Sequence, residues 1–462
     1  MVASFYFYMS WNPKYIFLIL TTIIITYFSG IGISKAHKKG SIIEKKFFAT
    51  VSIALNLMIL FFFKYFDFAI DSINRSLQMG DFKLLNPTFD VLLPVGISFY
   101  TFQALSYTMD VYRDENFKVE RHFGRYALFV TFFPQLVAGP IERSKNLLSQ
   151  FYEEHYFDYQ RVKNGLLLMI WGLFQKIVIA DRAAIVVNTV YNNLTAYTGF
   201  EVIVATMFFA VQVYCDFCGY SDIAIGASRV MGFNLMTNFR QPYFSQSIKE
   251  FWRRWHISLS TWFRDYVYIP LGGSRCSKIK KYRNLMITFL VSGLWHGANW
   301  TYVVGGVHGL YQILGEILEP VKSRIIKVLH VDVNTYAHKL FRVLVTFVLV
   351  DVAWVFFRAA SLSEALLVFK QIVSELNVEI FWNGELYALG LSQAEFSFLC
   401  LAIGVLWLVS YLRNRVSLIG ELEKQHVIFR WFVYLGLIYS IVGILLIQGF
   451  GFASQEFIYF QF

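Results

Sequence analysis

His296 lies in the segment LVSGLWHGANW, thirteen residues beyond Arg283, the last basic residue of a cationic stretch. At a rise of about 1.5 Å per residue, a helix would carry it about 20 Å from that charge, inside a hydrocarbon core about 30 Å thick. The imidazole is therefore expected in the apolar layer, near its centre or somewhat beyond. An ionisable side chain at that depth is a functional hypothesis by default. Gly293, Gly297 and Asn299 leave room beside it for a substrate or a close helix. A neutral imidazole there would offer its lone pair as a general base, taking a proton from an alcohol as that alcohol attacks a thioester or ester carbonyl. Such chemistry needs no metal, and an apolar tunnel would keep competing water out. The alternative is a packing histidine hydrogen-bonded to a neighbouring helix.

Nine histidines occur, and most stand beside charges in connecting segments. His308, in VVGGVHGLYQ, is expected to pack, with a second working residue as the alternative. His256, in RRWHISLS, is either structural or approaches a buried site from the cytoplasmic side. In VQVYCDFCGYSDIAIGASRVMG, the residues Asp216, Tyr220, Ser221, Asp222 and Arg229 also fall at membrane depth. Asp216 and Asp222 are six apart and would not share a face of one straight helix, so Gly219 is expected to break the helix between them. They either orient substrate or pair with Arg229. Asp351 and Arg358, seven apart, read as a structural pair. Cys215 and Cys218 form a CxxC without the further Cys or His that zinc would want, so packing is expected and no metal site. No phosphate-binding glycine loop or GxSxG elbow occurs, and residues for a tightly bound cofactor cannot be named.

The elements that must hold these residues follow from composition. The 462 residues are 56% hydrophobic and 19% aromatic, and only 16% are charged, against roughly 25% in a soluble domain. That excludes a disordered chain, a coiled coil and a small disulfide scaffold, and argues against soluble domains. The net charge of +10 sits between apolar stretches, where it meets anionic lipid headgroups and fixes topology, so no nucleic-acid partner is expected. The four cysteines make no extracellular disulfide pattern. The start, MVASFYFYMSW, lacks the basic region of a signal peptide. The segment after Lys14 is thus expected to be a retained span, inserted in the inner (plasma) membrane of a bacterium or an equivalent membrane.

Apolar segments fall at 14–34, 47–66, 90–110, 126–140, 165–187, 202–220, 285–299, 300–316, 341–358, 395–412 and 429–450, and a span takes about 20 residues. The fold class expected is an all-α polytopic membrane protein of about eleven transmembrane or re-entrant helices, forming one domain over 1–462. Segments 126–140 and 285–299 are short and broken by Pro or Gly, as cavity-lining segments often are. Basic residues put 35–46, 249–283 and 413–430 in the cytoplasm, and their scarcity puts 188–201 and 359–394 outside. In 249–283, Phe251, Trp252, Trp255, Leu259, Trp262 and Phe263 recur at helical spacing beside Arg253, Arg254 and Arg264. This reads as a helix lying at the cytoplasmic interface and ended by Pro270 and Gly272–Gly273.

FWRRWHISLSTWFRDYVYIPLGG followed by SGLWHGANW resembles the membrane-bound O-acyltransferase family, most closely the branch containing the bacterial alginate O-acetyltransferase membrane subunit. PVGISFYTFQALSYTMDVYR, FFPQLVAGPIER, YCDFCGYSDIAIG and AWVFFRA are similar to that branch as well, over roughly residues 1–450. The resemblance implies a ring of helices around a central tunnel, interfacial helices on the cytoplasmic side, and a working segment at 284–316. It implies His296 as the essential histidine and His256 as the second catalytic residue. Trp295, Asn299, Asp216, Tyr220 and Asp222 become substrate or tunnel candidates. It further implies acetyl-CoA as cytoplasmic co-substrate, with Arg253, Arg254 and Arg264 in a donor-side basic patch. The acetyl group would pass to an SGNH-hydrolase-type partner outside and then to an alginate-like polysaccharide or peptidoglycan, with membrane lipids around the chain. In the family another apolar segment usually precedes the part that VASFYFYMSW resembles, and Cys218 stands where the branch has a small Ser. Two other activities are weighed against this one. D-alanyl transfer to teichoic acid shares both histidine motifs, and a proton-coupled transporter would use a central histidine as relay.

Overall fold

The structure, a computed structural model, describes residues 1–78, 94–297, 301–448 and 457–458. Asn299 and the ends of the apolar segments at 90–110 and 429–450 lie outside the described residues. Among the described residues every regular element is helical.

After a short helix over Val2–Met9 the chain forms a hairpin of α1 (Ile16–Lys39) and α2 (Ile42–Lys64). Gly40 makes the turn in the left-handed region, with φ 68°, and the Ser41 hydroxyl caps α2 by accepting from the Glu44 N–H at 3.3 Å. α3 (Phe66–Gln78) follows, and α4 (Ile97–Arg113) and the short α5 (Phe123–Thr131) come next. The expected break in 126–140 is present. α5 stops before Pro134, and the Phe129 carbonyl accepts from Gln103 at 2.6 Å and from Gln135 at 3.2 Å. Those side-chain donors serve a backbone that lies inside the protein, where water does not reach.

α6 (Tyr159–Leu173) runs through a π segment (Phe174–Ala180) into α7 (Asp181–Tyr191), and α8 (Gly199–Val230) returns. α9 (Ile248–Arg254), α10 (Ile257–Phe263) and a π turn (Arg264–Tyr268) precede the hairpin of α11 (Lys278–His296) and α12 (Thr301–Ile317). α13 (Tyr336–Arg358), α14 (Leu362–Ser374), α15 (Gln393–Arg413) and α16 (Val427–Gln448) complete the chain. Six described helices are long and apolar enough to cross a membrane: Pro13–Lys39, Ile42–Lys64, Gly199–Val230, Tyr336–Arg358, Gln393–Arg413 and Val427–Ile447.

α8 is the axis of the larger core. Of its most apolar stretch 83% is buried, against 11% for α16. Gly219 does not break it, contrary to the sequence expectation, and one helix carries both Asp216 and Asp222. The glycine serves a close approach instead. A Cβ on Gly219 would stand 2.6 Å from the Gly172 carbonyl oxygen, and one on Gly226 would stand 2.6 Å from that of Gly165. The two glycine pairs, each seven residues apart, let α6 and α8 run backbone to backbone.

Other expectations are corrected too. The interfacial stretch is not one helix but α9, α10 and the π turn. Phe251 and Leu259 at its heart are 0% and 1% exposed, so its stripe faces the protein interior and not only the headgroups. Asp351 and Arg358 do not pair. The Arg358 guanidinium donates to Asn188 at 3.0 Å and lies over the Tyr191 ring. Seven residues advance a helix by about 10 Å, more than these two side chains close while Asn188 is nearer. The 359–394 connection contains α14.

The close approach of α6 and α8 predicts the outcome of Gly219→Val. The added methyls meet the α6 backbone, which cannot yield as a side chain would, and the loss is expected at about 1–3 kcal/mol. A fall in the detergent melting temperature checks it, with Gly404→Ala, which has open space, as the unaffected control. An unchanged melting temperature for Gly219→Val would mean that the helices are not pressed together there.

Candidate functional site

A cavity of about 490 Å³, counted out to its mouth, opens between α9, α11, α12 and α13. Trp252, Trp255, Trp354, Phe289 and Phe357 wall it, and among the described residues His296 and His308 are its imidazoles. A second hollow of about 270 Å³, beside Tyr243 and Trp407, has no imidazole or charged side chain in its lining.

His296 is the last residue of α11, and its place there has a backbone cause. The final carbonyls of a helix have no partner within it, and inside a bilayer they cannot turn to water. Here Lys64 Nζ donates to the Trp295 carbonyl at 2.7 Å, and the Tyr65 hydroxyl donates to the Leu294 carbonyl at 2.9 Å. The end of α2 thus caps the helix that carries His296, with a cation where the helix dipole favours one. Trp295 anchors the same turn. Its ring lies 5.5 Å from that of Phe99 and 5.4 Å from that of Phe102, and Phe102 stacks at 3.9 Å on Trp262. The Trp262 indole N–H donates to the Phe102 carbonyl at 2.9 Å.

His256 is 1% exposed, and its ring centre lies 6.4 Å from that of His296. Its backbone is left-handed, with φ 40° and ψ 56°, which is why α9 and α10 are two helices. A buried polar knot holds that conformation. The Ile257 N–H donates to the Asn238 carbonyl at 2.9 Å. The Ser258 hydroxyl donates to Asn238 Oδ1 at 2.7 Å and accepts from the Ile141 N–H at 3.0 Å. Asn238 Nδ2 donates to the Ser221 hydroxyl on α8 at 3.1 Å. The Phe217 ring, 4.6 Å away at 86°, closes one side of the imidazole.

Residues 118–321 match the family model described as MBOAT, membrane-bound O-acyltransferase family. Over 370 residues the chain is 40% identical to the "Probable alginate O-acetylase" of Pseudomonas syringae pv. tomato, covering 79% of this chain and 67% of that protein. It is 34% identical over 398 residues to a peptidoglycan O-acetyltransferase of Helicobacter pylori, covering 80% of this chain and 72% of that one. The chain belongs to the membrane-bound O-acyltransferase family. It is a multi-pass membrane O-acyltransferase. Similarity to a teichoic acid D-alanyltransferase of Bacillus subtilis is 30% over 239 residues, 48% of this chain and 58% of that protein.

The remaining candidates of this acyltransferase divide. Trp295 belongs with the two histidines, as described. Asp216 is buried elsewhere on α8, in an ion triad with Lys176 and Asp181 at Lys Nζ distances of 2.7 Å and 2.9 Å, and it accepts from the Ile458 N–H at 2.7 Å. Asp222 accepts from Gln175 at 3.1 Å and lies 4.0 Å from Arg413. Of the two alternatives, pairing with Arg229 is not seen as an ion pair for either acid, and Arg229 reaches Asp222 only through space. Tyr220 packs its ring 4.8 Å from Phe457. Among the basic candidates, Arg254 pairs with Glu250 at 2.6 Å and Arg264 with Asp265 at 2.7 Å, while Arg253 is exposed. Cys215 and Cys218 are buried free thiols.

Lys64 and Tyr65 are the site residues that sequence reasoning missed. The available signal was a lysine and a tyrosine closing the apolar run LMILFFFKY. Lys64→Met keeps the length and removes the donor. We expect about 1–3 kcal/mol lost, the usual cost of a buried carbonyl left unmet, with faster amide exchange over residues 293–297 and reduced acyl transfer. Lys64→Arg is expected to restore most of both. Unaltered exchange at that turn would show that the cap does not hold it.

Proposed function

We propose that this acyltransferase takes an acetyl group from a cytoplasmic thioester, acetyl-CoA, and hands it through the membrane to a hydroxyl acceptor for O-acetylation of an exported or cell-wall polysaccharide. The observation that carries the reading is His296 lining an aromatic-walled cavity, with the buried His256 ring centred 6.4 Å behind it.

His296 acts as general base. Its neutral ring takes the proton of the acceptor hydroxyl while that oxygen attacks the thioester carbonyl carbon. The tetrahedral centre collapses, the carbon–sulfur bond breaks, and the departing thiolate recovers the proton from the imidazolium. Acetyl ester and free thiol are the products, and no net proton is consumed. The indole walls keep out the water that would otherwise hydrolyse the thioester. His256, on its strained turn, orients the acceptor beside His296.

The acetyl assignment is supported by the extent of similarity. The relatives named for alginate or peptidoglycan O-acetylation share about four-fifths of this chain, and the D-alanyltransferase about half. Those names point to an alginate-like glycan or peptidoglycan as final acceptor, reached through an SGNH-hydrolase-type partner outside the inner membrane. Exposed Arg253, with Arg275, Lys278 and Lys280 exposed nearby, gives the cytoplasmic mouth a positive field for the donor phosphates or for lipid headgroups.

Glycan O-acetylation in cells carrying His296→Ala is the direct test. A loss of at least about 100-fold is expected for a missing general base, with the protein still at normal level in the membrane; unchanged acetylation removes the assignment. His256→Ala is expected to lose activity comparably. For Arg253→Ala the donor KM should rise more than kcat falls, and an unchanged KM assigns the patch to lipid instead.

A further inference from the structure

His308, expected from sequence to be a packing residue, has two properties that packing does not explain. The ring is 0% exposed, and neither Nδ1 nor Nε2 has a hydrogen-bond partner among the described residues. Its neighbours are carbon faces: Trp252 edge-on at 5.0 Å, Phe251 parallel at 6.1 Å and Trp354 at 5.9 Å. A buried polar group without a partner is uncommon and asks for a cause. A phenylalanine would fill this place without leaving two nitrogens unmet.

The place itself is built. A Cβ on Gly305 would run into the Phe289 carbonyl oxygen, and one on Gly309 would stand 3.2 Å from both the Met286 sulfur and the Phe289 Cβ. α12 is thereby pressed onto α11 on both sides of His308. Lys281 Nζ ties the two helices at their cytoplasmic ends, 2.6 Å and 2.7 Å from the Glu316 carboxylate oxygens. His308 lies along α12 between that ion pair and the deep turn that carries His296, and both imidazoles line the same cavity. His308 and His296 thus share one cavity, with His308 on the side toward the Lys281–Glu316 pair.

Resting on the function proposed above, we infer that His308 is a donor-binding residue that hydrogen-bonds an amide of the thioester's pantetheine arm. A neutral imidazole presents one N–H donor and one lone pair. A secondary amide presents the complement, one carbonyl acceptor and one N–H donor, and the arm carries its nearest amide two carbons from the sulfur. The aromatic walls suit the methylenes on either side. His308 takes no part in bond making; it adds binding affinity for the donor arm.

The test uses purified full-length protein and two acetyl donors, S-acetyl-N-acetylcysteamine, which has that amide, and S-ethyl thioacetate, which lacks it. Wild-type protein is expected to prefer the amide donor by at least tenfold in kcat/KM. His308→Phe should abolish the preference by raising the KM of the amide donor about tenfold, leaving kcat and the S-ethyl thioacetate rate nearly unchanged. His308→Gln, which keeps a donor and an acceptor, should recover part of it, and it carries the test alone if the phenylalanine variant does not accumulate. Equal losses on both donors, or no loss on either, overturn the assignment. Wild-type protein that transfers from neither thioester overturns the function itself.

Discussion

A helix that stops inside a bilayer leaves carbonyl groups that only protein can satisfy, and this requirement organises the acyltransferase. α11 ends at His296, and its open carbonyls are met by Lys64 and Tyr65 from a hairpin more than two hundred residues earlier in the chain. The same turn is wedged by Trp295 against Phe99 and Phe102 of α4. α4 can do this because it has two apolar faces. Phe99, Phe102 and Leu105 enter the larger core, while Tyr100, Ala104 and Tyr107 enter the core of the N-terminal helices. The position of His296 is therefore a property of both cores at once.

Polar groups buried near the site are spent on geometry. The left-handed turn at His256 is uncommon for a residue with a side chain, and Asn238, Ser258 and Ser221 hold it with a short chain of hydrogen bonds. None of the three is more than 1% exposed. In such surroundings a hydrogen bond has no water to compete with it, and an unmet partner is costly. The knot joins α8, α10 and the turn at Ile141, so His256 moves only if three elements move.

Much of this was legible in the sequence, for definite reasons. Length and hydropathy are enough to find α1, α2, α8, α13, α15 and α16, because a bilayer demands one length of apolar helix. The rise per residue gives the expectation that His296 lies deep, and the structure makes it the last residue of its helix. Gly219 was misread because glycine was treated as a breaker, although the matched spacing of Gly165 with Gly172 and of Gly219 with Gly226 was available as a packing signal. The aromatic stripe of 249–263 was visible, but periodicity cannot show that one residue within it turns left-handed. Asp351 and Arg358 share a face, yet two helical turns separate them and Asn188 competes. Lys64 and Tyr65 were invisible because nothing local says which helix end they serve.

The charges that remain inside the membrane are kept from the cavity. Lys176 lies between Asp216 and Asp181 where the π segment meets α8, and Asp222 is met by Gln175 and Arg413. None of these residues lines the cavity, where His296 and His308 are the titratable side chains among the described residues. Among the described lining residues, the two imidazoles and the Ser292 hydroxyl are the groups that could move a proton. A carboxylate there would need a counter-charge or water to be held in the apolar wall. An imidazole can stay neutral, donate on one side and accept on the other, and that is why the aromatic wall and the histidines belong to the same solution.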